Sequence, residues 1–173
     1  MALDLPAVAR TQLARWRDAA TQDRAELRPV PEAQLHVTLL FLGNTQPAQV
    51  DALWEGVGAA AAGVQAPVLA PIGVKGVPPR RPRLFALDLA DAGHRTGDLH
   101  QRLAQTLDRT EERTLWPHVT LARVRRGAHT RALTVPDAMP FESITVAAVT
   151  LYRSQPSAGG ARYTPLRSLE LVS

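Results

Sequence analysis

Trp116-Pro117-His118-Val119-Thr120-Leu121-Ala122-Arg123 sets the terms for the whole chain, because an earlier stretch, Leu35-His36-Val37-Thr38-Leu39-Leu40-Phe41, echoes it. Both contain His-Val-Thr-Leu, and the two histidines lie 82 positions apart, close to half of the 173 residues. Taken singly, each histidine reads as an idle strand residue. Two copies, each inside an apolar, β-branched run, instead imply a duplicated module that sets two His-Thr pairs against one another. Side chains at i and i+2 share one face of a strand. His36 and Thr38 therefore share a face, as do His118 and Thr120, while Val37, Leu39, Val119 and Leu121 point into a core. A strand apolar on one side and polar on the other is half-buried, so two such strands supply two imidazoles and two hydroxyls to one cleft.

Those groups suit acid–base chemistry on a phosphodiester. Histidine titrates near neutral pH, so one ring can serve as base while the other, protonated, serves as acid. Threonine hydroxyls can hold phosphate oxygens. Neither histidine has an Asp or Glu at metal-ligand spacing, and the expectation is metal-independent activity with no cofactor.

Extended, the two stretches read His-x-Thr-x-x-Phe (His36, Thr38, Phe41) and His-x-Thr-x-x-Arg (His118, Thr120, Arg123). With Leu42-Gly43 after the first, Pro117 before the second and a C-terminal Arg162-Tyr163-Thr164-Pro165-Leu166, the chain resembles the two-histidine (2H) phosphoesterases. Within them it is most similar to the RNA 2′,3′-cyclic phosphodiesterase, or 2′-5′ RNA ligase-like, branch. The resemblance spans almost the whole chain. It implies an α+β fold, a duplicated two-lobed unit with two antiparallel sheets forming a central cleft and helices packed outside. It also implies a substrate of RNA or a nucleotide ending in a 2′,3′-cyclic phosphate, opened to a 2′-phosphate. By motif match, His118 would be the general base and His36 the general acid. Thr38 and Thr120 would hold non-bridging oxygens, Arg123 would clamp the phosphate and Phe41 would stack on the terminal base. The motifs are near mirror images, so which ring is acid and which is base rests on the resemblance alone. Within the same chemistry, 2′-5′ RNA ligation and hydrolysis of a small cyclic nucleotide need the same histidines and stay open. A non-catalytic RNA-end binder is the alternative of a different class, and it would not need two titratable rings.

The length suits one domain over residues 1–173, with one His-x-Thr motif in each of two pseudo-symmetric lobes. The apolar runs are too short to span a membrane, and the N-terminus lacks the pattern of a signal peptide. With no cysteine there is no disulfide or thiolate metal site. A cytoplasmic monomer without membrane association is expected. The net charge of +4 admits a phosphate ligand. Lys75 is the only lysine. Arg80, Arg81 and Arg83 read as solvated surface, whereas Arg123 leads out of the second motif.

Along the chain, a short apolar start runs into Asp4-Leu5-Pro6. A helix follows to about residue 20, with Val8, Leu13 and Trp16 as its stripe. The first motif strand is expected over 34–42, ending at the turn signal Gly43-Asn44. Pro47 opens a second helix with Val50, Leu53, Trp54 and Val57 on its apolar face. Residues 64–75 and 83–89 read as strands around a Pro- and Arg-rich loop over 76–82. A third helix over 92–110 carries Leu99, Leu103 and Leu107, with His94 and His100 read as surface residues. The second motif strand covers 117–124. Residues 125–140 are turn-rich, and His129 there lacks a partner at motif spacing. Strands over 141–151 and 162–171 flank a loop over 154–160. Phe41 and Arg123 present a geometric difficulty. They sit five positions after their histidines, an odd offset that would face them away from the cleft unless each strand ends, twists or bulges. The alternative for Phe41 is a plain core aromatic.

Overall fold

The structure is a computed structural model that describes residues 1–109, 114–130, 132–156 and 161–172. Three α-helices are present among them, α1 (Ala7–Thr21), α2 (Val50–Ala61) and α3 (Arg95–Thr106). The strands are β1 (Ala2–Asp4), β2 (Leu27–Pro29), β3 (His36–Thr38), β4 (Val68–Val77), β5 (Leu84–Ala90), β6 (His118–Val124), β7 (Ile144–Thr145), β8 (Ala148–Gln155) and β9 (Arg162–Glu170). The fold class is α+β, as expected. The strands run β7-β4-β5-β6-β3-β1-β8-β9, with β2 pairing to β6 as well. All these named-strand pairs are antiparallel. The two motif strands, β3 and β6, lie at the middle of this order and join the sheet's halves through Val37↔Val119.

The two faces of the sheet differ because the sequence alternates. Leu3, Val37, Leu87, Val119, Leu121 and Val149 are buried and belong to one apolar cluster with Leu13, Val57, Leu99 and Leu103 of the helices. A buried leucine or valine stabilises the fold by about 1.5–3 kcal/mol relative to an exposed one, so this layer fixes which face of every strand points inward. The opposite face of β3 and β6 is left to His36, Thr38, His118 and Thr120.

Helical spacing is legible in α3, where Leu99 and Leu103 are fully buried. Its first turn is capped from a distance, Asp91 Oδ2 accepting from Thr96 N (2.9 Å) and Gly97 N (3.2 Å). In α1 the buried stripe is Ala9, Leu13, Trp16 and Ala20, whereas Val8 is 72% exposed. The i, i+4, i+7, i+11 rhythm starts at Ala9, one residue later than expected. His100 also differs from its surface reading. It is 6% exposed, and its Nδ1 lies 2.8 Å from the Leu39 carbonyl oxygen, so a helix histidine tethers the end of the first motif strand. His94, which precedes α3 with a positive φ, is exposed as expected.

Strand limits moved where backbone partners do. The first motif strand is only His36–Thr38, and β4 runs through Val77, which leaves Pro78 to Pro82 as the turn. The expected strand over 141–151 is two strands, because Val146 N turns aside to donate to Pro67 O (2.9 Å). Thr110 at the end of the expected third helix, and residues 157–160 of the expected loop, lie outside the described residues.

Candidate active site

The register brings the two motifs together. Carrying the antiparallel pairing of Val37 with Val119 one residue each way sets His36 across from Thr120 and Thr38 across from His118, all on the face away from the core. The charge of His118 is felt at His36. The outer neighbours repeat the pattern, since Asp4 of β1 pairs with His36 and Asp88 of β5 pairs with His118.

The odd offset of Phe41 and Arg123 is resolved by one device used twice. After Thr38, both Leu39 N (3.0 Å) and Leu40 N (3.3 Å) donate to Met1 O, and both leucines are buried. In β6 the register jumps from Ala86↔Thr120 to Phe85↔Ala122, leaving Leu121 as the extra residue, and Leu121 and Ala122 are again both buried. Two consecutive inward residues reverse the alternation, so Phe41 and Arg123 come out on the side of their histidines. Phe41 is 76% exposed, which rules out the core-aromatic alternative. Arg28 of β2 lies directly across from Arg123.

A cleft of about 700 Å³ contains His36, Thr38 and Phe41, together with Tyr152, Tyr163 and Arg153. His118, Thr120 and Arg123 stand on the adjoining strand, outside the lining of this cavity. A second cavity of about 840 Å³ opens beyond Trp116, next to Lys75, Arg80 and Phe85, and holds neither histidine. Among the described residues no cluster of three or more His, Cys, Asp or Glu is arranged to hold a metal.

The two rings are held differently. His36 lies between two tyrosines, stacked on Tyr152 (ring centroids 5.8 Å apart, 22°) and edge-on to Tyr163 (5.3 Å, 73°). Tyr152 Oη donates to Asp4 Oδ1 (2.7 Å), and Thr150 Oγ1 donates to Asp4 Oδ2 (2.6 Å). Burial, then the positive amino terminus, pushes the His36 ring below its ordinary 6.5, and His118 adds to this. Asp4 and a hydrogen bond to the Gln34 backbone oppose the shift only in part. Tyr152 is pushed well above its ordinary value by burial and by Asp4, so it stays a hydroxyl. His118 stacks on Trp116 at 4.1 Å and 16°, and its Nδ1 lies 2.7 Å from the Trp116 carbonyl oxygen. A carbonyl oxygen only accepts, so Nδ1 carries the proton and Nε2 is left without it. Burial would raise the Asp88 carboxyl, but hydrogen bonds from Lys75 and Trp116 outweigh it and hold the group below its ordinary 3.8.

Sequence reading therefore found the six motif residues and missed their supports. Tyr152, Asp4, Asp88 and His100 carried no motif. A usable signal existed at Asp88, the single carboxylate inside the apolar run from Leu84 to Leu89.

Comparison with known proteins bears on the family and the fold. A family profile described as LigT like Phosphoesterase matches residues 3–85. The RNA 2′,3′-cyclic phosphodiesterase of Escherichia coli K12 is 31% identical over 181 residues, covering 99% of this chain and 94% of that one. The crystal structure of E. coli LigT complexed with 3′-AMP superposes with a TM-score of 0.75 at 28% identity, over 99% of this chain and 96% of that chain. A crystal structure from Thermus thermophilus shares the fold at TM-score 0.77 and 24% identity, over 98% and 95% of the two chains. No helix among the described residues is long and apolar enough to cross a membrane. The chain belongs to the LigT-like family of two-histidine phosphoesterases and is a phosphodiesterase.

Proposed function

We propose that the protein hydrolyses the terminal 2′,3′-cyclic phosphate of RNA, or of a nucleotide, to a 2′-phosphate by two-histidine general acid–base catalysis. The observation that carries this is the Val37↔Val119 register, which sets two His-Thr pairs against each other on the bare face of one sheet. In the cycle, water attacks phosphorus and His118 Nε2 takes its proton. The P–O3′ bond breaks, and His36 gives its proton to the departing O3′. Thr38 and Thr120 hold the non-bridging oxygens, and Arg123 supplies a planar guanidinium suited to the charge that develops there. Phe41, exposed beside His36, offers a stacking surface that tolerates different bases. His36 is pushed toward its neutral form in the free protein, and the negative phosphate draws the proton back onto it when substrate binds. The order of acid and base follows the family motif. The whole chain acts as one domain of two pseudo-symmetric lobes, each contributing one His-x-Thr motif.

The test is the chemistry of the product end. An RNA oligonucleotide with a 2′,3′-cyclic phosphate is expected to accumulate a 2′-phosphate. A 3′-phosphate would keep the enzyme but overturn the leaving-group assignment, and tight binding without turnover would make the protein an RNA-end binder.

A further inference from the structure

We infer that Trp116, anchored by Asp88 and Lys75, is the positioning residue for the His118 ring. Trp116 holds that ring twice, by accepting at its carbonyl oxygen from Nδ1 (2.7 Å) and by stacking its indole on the imidazole (4.1 Å, 16°). The carbonyl contact fixes the tautomer, and the stack opposes rotation of the ring. The indole is fixed in turn, since its Nε1–H donates to Asp88 Oδ1 (2.6 Å). Asp88 is 4% exposed and sits directly across β5–β6 from His118. Lys75 closes the set, with Nζ 2.5 Å from Asp88 Oδ2 and 5.7 Å from the indole centroid. An unpaired carboxylate beside a phosphate-binding face would repel the substrate, and Lys75 offsets that charge. The indole and Lys75 belong to this ring only. At His36 the corresponding place is taken by Tyr152 on Asp4, so the mirrored motifs share a plan of aromatic on carboxylate but build it from different side chains.

The consequence for catalysis rests on the phosphodiesterase reading above. When His118 takes a proton from water, the ring becomes cationic while lying over the indole face, a favourable cation–π contact. Asp88, taking the indole N–H, keeps that face in place. Losing the anchor therefore affects the step in which charge forms more than the binding of substrate.

The test uses the full chain carrying Asp88→Ala or Asp88→Asn. Asparagine keeps an oxygen that accepts from the indole, and alanine does not. Asp88→Ala is expected to lower kcat about 10²-fold, the cost of a misplaced catalytic group, with KM within about twofold of wild type. Asp88→Asn is expected to restore most of kcat. In NMR spectra, the His118 ring protons, shifted by the stacked indole, should move toward unstacked positions in Asp88→Ala and stay in place in Asp88→Asn. Wild-type kcat in Asp88→Ala with unmoved His118 resonances would overturn the inference. So would a loss of kcat matched by an equal loss of folded protein in both variants. Absence of turnover by wild type would instead sink the functional reading and leave the resonance shifts to decide the positioning role.

Discussion

His36 and His118 share a tetrapeptide but not an environment, and the difference is set by side chains with no motif of their own. His36 is half-buried, with Tyr152 and Tyr163 against its ring, and is held below the ordinary histidine value of 6.5. Its ring is thus expected to titrate below 6.5 by NMR and to move upward as inorganic phosphate enters the cleft. The sign for stability follows by linkage. Between 6.5 and the depressed folded value the unfolded chain binds a proton that the folded chain refuses. The His36 contribution is therefore full above 6.5 and is lost as pH falls through that window. Thermal melting at several pH values should show this loss in wild type and a smaller one in His36→Gln; equal slopes would contradict it. The motif residues were readable because His-Val-Thr-Leu recurs with each copy inside an apolar run. Asp88 left a trace as the lone carboxylate of an apolar run, but Tyr152 and His100 were not readable, since their roles come from a strand and a helix far away in sequence from the first motif.

The helices and strands divide in the same way. The stripes of α2 and α3 followed from helical period, and Val57, Leu99 and Leu103 are fully buried. Strand lengths did not follow, because a strand ends where its partner does. The first motif strand is three residues long, and the next two leucines share one carbonyl of Met1. That bulge, with its counterpart at Leu121, is what turns Phe41 and Arg123 to the side of the sheet that carries their histidines. A need for some irregularity was legible from the odd offset, but its place was not, because it depends on which strand lies alongside. Phe41 stands exposed at the cleft mouth as a result. Phe41→Ala should raise KM for the cyclic-phosphate RNA about 5- to 150-fold, the equivalent of about 1–3 kcal/mol of base stacking, with kcat little changed. A fall in kcat with KM unchanged would remove Phe41 from the binding role.

Across the whole molecule, the strand order places β6 and β3 at the centre, flanked by β5 and β1, then by β4 and β8. The interval of about half the chain between the two motifs was visible in the sequence, and it led to the expectation of a cleft between them. That the two halves meet through the motif strands themselves was not visible. Such pairing joins residues far apart in the chain, and periodicity carries no information about a partner. In the proposed reaction both histidines act as one catalytic unit without a metal. Turnover of an RNA oligonucleotide ending in a 2′,3′-cyclic phosphate, in EDTA, tests this with wild type, His36→Ala, His118→Ala and the double variant. Wild-type turnover should be unimpaired by EDTA, and each single variant should lose about 10²–10⁴-fold. The double variant should be little worse than the poorer single one, as for residues that work together. Near-wild-type turnover by either single variant, or a wild type stopped by EDTA, would contradict the two-histidine mechanism.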